Sequence, residues 1–388
     1  MGDAILTLNE GSSSVKFALF RANGGEPALL CRGAVTGLGD RAQFRARDAA
    51  GMVLGDQALD SPSQAAALKF LLSWLERRFG NRLMAAGHRV VHGGLQFTSP
   101  VRIDDDVMHA LETLVPLAPL HQPRNLAAIR AFSELHPDLP QIACFDTAFH
   151  AGQPEVATRF ALPRALHAEG IRRYGFHGLS YEYIAQALPR VIGEKAAAGR
   201  VVVAHLGSGA SLCAMRGGKS IATTMGMTAL DGLMMARRCG ALDPGVMLFL
   251  MQQKGMRAEE VSDILYNQSG LLGVSGISDD MRVLLESDTL EARQAVDLFV
   301  YRICGELGAM AAALGGLDAL IFTAGIGEHA VEIRARVCRA AGWLGMALDE
   351  EANRRGGPCI ARGKADAWVV ATDEDLMIAR HVAALICR

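Results

Sequence analysis

Hydrophobic residues at 4–8 and 15–20 flank a polar turn at 9–14, a pattern that predicts two short strands joined as a β-hairpin. Further along, the period changes. Leu68, Leu71, Leu72 and Leu75 recur at helical spacing, Ser61-Pro62 reads as N-cap and first helical residue, and Gly80 reads as the stop. Apolar runs return at 85–91, which leads into His92-Gly93-Gly94, and at 141–145, which ends at Asp146. Around Arg200 the opening pattern restarts, with 201–204 apolar, 205–210 a Gly/Ser turn and 211–215 apolar again. Gly11 and Gly207 stand 196 residues apart, so each half holds one strand–glycine turn–strand unit. That spacing predicts a duplicated two-domain architecture, although glycine hairpins also occur in unrelated folds. Residues 319–323 and 368–371 are further strand-like runs, and Thr372 or Asp373 caps a last helix from Glu374 to about Ile386. The most apolar stretch, 307–327, is interrupted by Gly315-Gly316 and Asp318. It predicts a helix followed by a strand and not a membrane span, which needs about 20 unbroken apolar residues.

Composition narrows this picture. At 388 residues the chain is long enough for two cores. A formal net charge of -2 excludes the basic excess of a nucleic-acid binder. The eight cysteines are scattered singly with no C-x-x-C pair, which predicts neither a zinc site nor a disulfide framework and fits a reducing compartment. There is no basic segment before the first apolar run, and Leu6 stands where a myristoylation motif needs Ser or Thr. The expectation is a cytoplasmic location.

Several segments carry chemistry-bearing residues. In Asn9-Glu10-Gly11-Ser12-Ser13-Ser14-Val15-Lys16, turn N–H groups, hydroxyls and Lys16 can converge on a phosphate, without the spacing of a Walker A loop; an ordinary hairpin turn reads the same way. Arg89, inside the apolar run before His92-Gly93-Gly94, needs a partner, either a bound carboxylate or an internal acid. Asp146 at the end of a buried strand suits a Mg2+ ligand or a helix N-cap. His177, in Tyr174-Gly175-Phe176-His177-Gly178, can donate to developing negative charge or sit in a turn. His205-Leu206-Gly207-Ser208-Gly209 is the second glycine loop, and Met234-Met235-Ala236-Arg237-Arg238 sets two arginines among apolar residues. Asp279-Asp280-Met281-Arg282 and Gly325-Ile326-Gly327-Glu328-His329 can frame a nucleotide, and Asp280 with Arg282 can equally be helix-start electrostatics. Glu374 either caps the last helix or shares Mg2+ with Asp146.

Taken together these segments resemble one family. N-x-G-S-S-S-x-K, H-R-V-V-H-G-G, F-D-T-A-F-H, Y-G-F-H-G, H-L-G-x-G-x-S, G-L-M-M-x-x-R, S-G-I-S-x-D and F-T-A-G-I-G-E occur here in the order seen in acetate kinases. That family also holds propionate kinases and is related to butyrate kinases, and the resemblance spans essentially the whole chain. It implies an α/β fold of the acetate and sugar kinase/heat-shock 70/actin (ribonuclease H-like) type, with two duplicated domains and a central cleft. The domains implied are 1–148 plus 375–388, on the carboxylate and phosphate side, and 149–374, on the nucleotide side with the dimer interface. It further implies a homodimer with Mg2+, for which Mn2+ can substitute.

Carried over residue by residue, the resemblance places Lys16, Ser12 and Ser14 by the phosphates. Arg89 would hold the substrate carboxylate, with Val91, Leu120 and Phe176 around its methyl group. Asp146, His177 and Arg238 would be catalytic, with His121 and His205 nearby. Leu206, Gly207, Ser208 and Gly209, then Asp280, Met281 and Arg282, then Gly325, Ile326, Gly327, Glu328 and His329 would contact ATP, and Asn9 and Glu374 would serve the metal. The chain departs from the family's common residues at Ser208 and His329 (Asn), Tyr181 (His), and Ala229 and Ala371 (Pro). The activity implied is in-line phosphoryl transfer between ATP and acetate. Propionate kinase is the alternative, and a non-catalytic nucleotide-binding member of the superfold is a more distant one.

Overall fold

The computed structural model describes residues 3–11, 14–22, 24–80 and 82–386. Chain contacts divide into two compact units, Met1–Phe149 with Asp373–Arg388, and His150–Thr372.

The first unit is built on an eight-stranded sheet. Its strands are β1 (Asp3–Glu10), β2 (Ser14–Arg21), β3 (Ala28–Thr36), β4 (Gln43–Asp48), β5 (Val53–Ala58), β6 (Arg82–Val90), β7 (Val101–Arg102) and β8 (Gln141–Phe145), in the order β5-β4-β3-β2-β1-β6-β8-β7. β1 and β2 form the expected hairpin, with Leu6 opposite Leu19 and Asn9 opposite Lys16. β6 runs parallel to β1, and β8 parallel to β6. The seven-stranded sheet of the second unit holds β9 (Arg200–Leu206), β10 (Ala210–Arg216), β11 (Lys219–Thr223), β12 (Ala319–Thr323), β13 (Met346–Leu348), β14 (Cys359–Gly363) and β15 (Asp366–Val369), ordered β11-β10-β9-β12-β15-β14-β13. β9 and β10 are antiparallel, while β12 is parallel to β9 and β15 to β12.

The two sheets therefore share one plan. A three-strand antiparallel meander, β3-β2-β1 or β11-β10-β9, continues into two strands parallel to its first member. The two glycine turns join equivalent strands, which is the duplication that the 196-residue spacing predicted.

Helices cover the sheets. Gln64–Phe79 buries Leu68, Leu71, Leu72 and Leu75 in a cluster with Phe17 and Phe44. Its start differs from the expectation: the hydroxyl of Ser63, not Ser61, accepts the Ala66 N–H at 3.2 Å, while Gly80 closes it in the left-handed region. Glu374–Ile386 is capped by Asp373, whose side chain accepts the Leu376 N–H at 3.0 Å. This helix lies against β1 and β6 because Gly87 has no side chain; a Cβ there would come within 2.4 Å of Ile378 and 2.6 Å of Val382. Leu290–Leu314, of 25 residues, is the long helix of the second unit. Among the described residues no helix is long and apolar enough to cross a membrane.

Candidate active site

In the first unit, polar residues gather where β1, β6 and β8 end. Arg89 sits one residue before the end of β6, and Asp146 follows β8 directly. The Arg89 guanidinium forks onto Asp146, with Nε to Oδ1 at 2.9 Å and Nη2 to Oδ2 at 2.5 Å, and its Nη1 donates to Asn9 Oδ1 at 3.0 Å. Asn9 in turn donates to Glu374 Oε2 at 3.3 Å, and that oxygen lies 4.0 Å from Arg89 Nε. Burial by itself would push the Arg89 pKa down, but the charges of Asp146 and Glu374, the Asp146 hydrogen bonds and the charge of Glu10 outweigh it and raise the pKa above its ordinary value. The arginine is thus a permanent cation held in a fixed plane. Lys16 is exposed on β2 opposite Asn9, and Ser14 opens β2, its carbonyl accepting the Gly11 N–H at 2.8 Å. Ser12 lies outside the described residues.

Val91 falls just past the end of β6, which stops at Val90 although the apolar run extends to 91. It is buried, and its N–H donates to Asn125 Oδ1 at 3.1 Å. Leu120 is exposed in the turn before the helix Gln122–Leu135, and His121 is that helix's N-cap residue.

In the second unit the glycine turn is tighter than expected, because His205 and Leu206 belong to β9 and only 207–209 form the loop. His177 stands at the N-cap of the helix Gly178–Ile192 with φ +59°, a conformation that residues with a Cβ rarely adopt outside functional or tightly held sites. Its Nδ1 shares a hydrogen bond with Ser211 Oγ at 2.8 Å, and its ring stacks on His205 at 4.2 Å. The Tyr181 hydroxyl joins the same Ser211 oxygen at 2.5 Å.

Arg238 donates through Nη1 to the Ala229 carbonyl at 2.6 Å, a bond that uses only the backbone oxygen. A Cβ on Gly209 would fall 2.9 Å from both Arg238 Nη2 and His177 Nε2, so the absence of a side chain there lets both groups close on the loop. The carbonyl of Ser208 accepts the Ala236 N–H at 3.1 Å, tying the arginine segment to the same loop. Leu206, Phe176 and Met281 are buried. Asp280 caps the helix Met281–Glu286, and its carboxylate pairs with Arg282 at 2.6 Å. Gly325 to His329 lie in a short helix, Ala324–His329, with Gly325 and His329 exposed.

The profile of the Acetokinase family matches residues 4–380. The chain belongs to the acetokinase family. This acetokinase is 58% identical over 390 residues to an acetate kinase of Rhodopseudomonas palustris, covering 98% of both chains. It is 49% identical over 399 residues to one of Methylocella silvestris, covering 100% of this chain and 98% of the other. Among solved structures it matches a propionate kinase from Francisella tularensis at a TM-score of 0.91 and 35% identity, covering 98% of each chain. It matches the Porphyromonas gingivalis acetate kinase at a TM-score of 0.87 and 36% identity over 100% of both chains.

Two features of the acetokinase escape the motif reading. Glu10 and His88 are both buried with Nδ1 and Oε1 3.9 Å apart, and neither side chain has a hydrogen-bond partner among the described residues. In sequence Glu10 looks like a polar turn residue, whereas it is the last residue of β1 and its side chain is buried. Arg334 is fully enclosed as well; its one sequence signal is the i, i+4 spacing to Cys338, which shares its buried helix face.

Proposed function

We propose that this acetokinase transfers the γ-phosphoryl group of ATP to acetate, forming acetyl phosphate and ADP, and runs the reverse, ATP-forming reaction. An acetate oxygen attacks the γ-phosphorus in line, the bond to the β,γ-bridging oxygen breaks, and ADP leaves with the electron pair, so no protein nucleophile is needed. The observation that carries this reading is the fixed, permanently charged Arg89 fork at the end of β6, beside Asp146 and Asn9. Asp146 takes the Nε and one Nη2 donor and Asn9 one Nη1 donor, so an acceptor carboxylate would use the N–H groups of Nη1 and Nη2 that remain.

In this reading Arg89 binds the acceptor, with Val91, Leu120 and Phe176 near its alkyl group. Lys16 and the 9–16 turn serve the phosphates. In the second unit Arg238 and His177 donate to the oxygens of the group in transfer, held by Gly209 and Ser211, with His205 stacked behind. Residues 206–209, 280–282 and the backbone of 325–329 hold the nucleotide. The domain roles follow, 1–148 with 375–388 for the carboxylate and 149–374 for the nucleotide.

Asp146 and Glu374 offer hard oxygen donors, each beside the Arg89 guanidinium, and no group of three metal-ligating His, Cys, Asp or Glu side chains occurs among the described residues. That donor set fits Mg2+, or Mn2+ in its place, which takes one or two protein carboxylates and completes its shell with water and phosphate oxygens. When bound, the ion neutralises charge on the β- and γ-phosphoryl oxygens.

A second copy of the chain is the proposed partner, and the cytoplasm the proposed location. The helix Pro244–Gln252 supports the dimer: it exposes Val246, Met247, Leu248, Phe249 and Met251, with Leu248 at 54% and Phe249 at 52%. Propionate is the second acceptor to weigh, because Ala229 leaves more room than the family's Pro and the fold matches a propionate kinase closely. Hydroxamate trapping with ATP, Mg2+ and acetate, propionate or butyrate in parallel decides between them. The expected order of kcat/KM is acetate first, with one methylene costing about 1–3 kcal/mol. A tenfold preference for propionate would make the protein a propionate kinase.

A further inference from the structure

Arg334 is 0% exposed and is the largest fully buried side chain described. A buried guanidinium ordinarily sits against a carboxylate. This one has only neutral acceptors: Nε donates to Asn353 Oδ1 at 2.8 Å, Nη2 to the Asn353 carbonyl at 3.0 Å, and Nη1 to the carbonyls of Gly327 at 3.1 Å and Glu328 at 2.7 Å. Burial pushes its pKa down from the ordinary arginine value. Asn353 is equally buried, and its amide donates to the Val331 carbonyl at 2.9 Å, so the acceptor is itself fixed. The charge therefore has one evident use, which is to hold the carbonyls that end the short helix Ala324–His329, where backbone acceptors lack intrahelical partners.

The entry to the same segment is held by a second charged residue. Glu328 Oε1 accepts the N–H of Ala324 at 2.9 Å and the N–H of Thr372 at 3.3 Å. Ala324 has φ +64°, a left-handed conformation that a residue with a Cβ keeps only when its surroundings impose it. Thr372 is also bonded through its hydroxyl to Ser180 Oγ at 2.9 Å, and Ser180 to His205 Nδ1 at 2.8 Å.

We propose that Glu328 and Arg334 are positioning residues that clamp the two ends of the segment 324–329, so that Gly325, Ile326 and Gly327 present a preset backbone to the nucleotide while the Glu328 carboxylate itself does not touch it. This rests on the reading that 325–329 borders the nucleotide. A preset backbone lowers the ordering cost of nucleotide binding and leaves the acceptor carboxylate alone. The clamp therefore acts on one substrate and not the other, which a general loss of stability would not do.

The test uses the full-length enzyme with Mg2+ and four variants: Glu328→Ala, Glu328→Gln, Arg334→Met and Arg334→Lys. Glu328→Ala and Arg334→Met should raise the KM for ATP at least tenfold and leave the KM for the carboxylate within twofold. Glu328→Gln, whose amide oxygen still accepts both N–H groups, should stay within threefold of wild type, and Arg334→Lys should fall between. An unchanged KM for ATP in Glu328→Ala overturns the clamp, as does a Glu328→Gln that behaves like Glu328→Ala. Glu328 is only half-buried, so this arm stands even where Arg334→Met fails to fold. Amide exchange separates the two levels. ADP should protect 324–329 in the wild type; absence of that protection overturns the nucleotide reading, whereas its presence beside an unmoved KM overturns the clamp alone.

Discussion

Single residues in this acetokinase are placed by their neighbours more than by their own motif. Arg238 shows this. By residue type Met-Met-Ala-Arg-Arg offers two arginines, and only the family resemblance singles out Arg238. The structure separates them: Arg237 makes an exposed ion pair with Asp279 at 2.7 Å, while Arg238 lies half-buried with Nη2 against the backbone of Gly209. A surface pair of the first kind contributes little. A guanidinium of the second kind, next to His177, has the setting of a group that stabilises charge in transfer. Arg238→Ala should therefore lower kcat by about 10³-fold, Lys should restore only part of it for want of the planar fork, and Arg237→Ala should change kcat little. Steady-state kinetics on the three variants checks this. A small fall in kcat with a large rise in the KM for ATP would move Arg238 to ground-state nucleotide binding.

Among the secondary-structure elements, periodicity located the interiors and the caps depended on geometry. β8 at Gln141–Phe145 and β12 at Ala319–Thr323 coincide with the apolar runs, because strands buried on both faces read as unbroken hydrophobic stretches. β3 and β5 leave a weaker trace because they lack a regular alternation, and β4, which alternates buried Phe44 and Ala46 with exposed Arg45 and Arg47, is only six residues long. Helix starts are finer still. Ser61-Pro62 and Ser63 are equally good caps by composition, and the choice is made by which hydroxyl reaches an N–H. Ser63→Ala should cost about 1 kcal/mol of stability, and Ser61→Ala less than about 0.5 kcal/mol. Urea unfolding of both variants measures this, and equal losses would mean that the helix begins earlier than Gln64.

For the whole molecule, the repeated sheet plan explains how one chain supplies two differently charged sets of groups. Each glycine turn joins the first two strands of its own sheet, and the residues bordering it diverged: Asn9 and Lys16 in one unit, His205 and Gly209 in the other. A nine-residue helix that exposes five large apolar side chains is too hydrophobic for an isolated surface and suits a self-complementary contact between copies. Light scattering should give the mass of a dimer for the wild type. Phe249→Glu, which places a charge in the middle of that helix, should weaken the dimer tenfold or more and shift the protein toward monomer at micromolar concentration. A variant that keeps the dimer mass at all concentrations would assign the interface to another face.

The family, the duplicated plan and the identity of the polar residues that crowd the strand ends are all legible along the chain. These depend on motif order and on short-range periodicity, which are properties of neighbours in the chain. Sheet order and helix packing produce the pairing of Arg89 with Asp146, the meeting of Glu10 and His88 with no hydrogen-bond partner among the described residues, and the inward turn of Arg334 and Glu328 onto 324–329. A charge's function depends on the dielectric and the acceptors around it, and neither is written in the residues beside it in the chain.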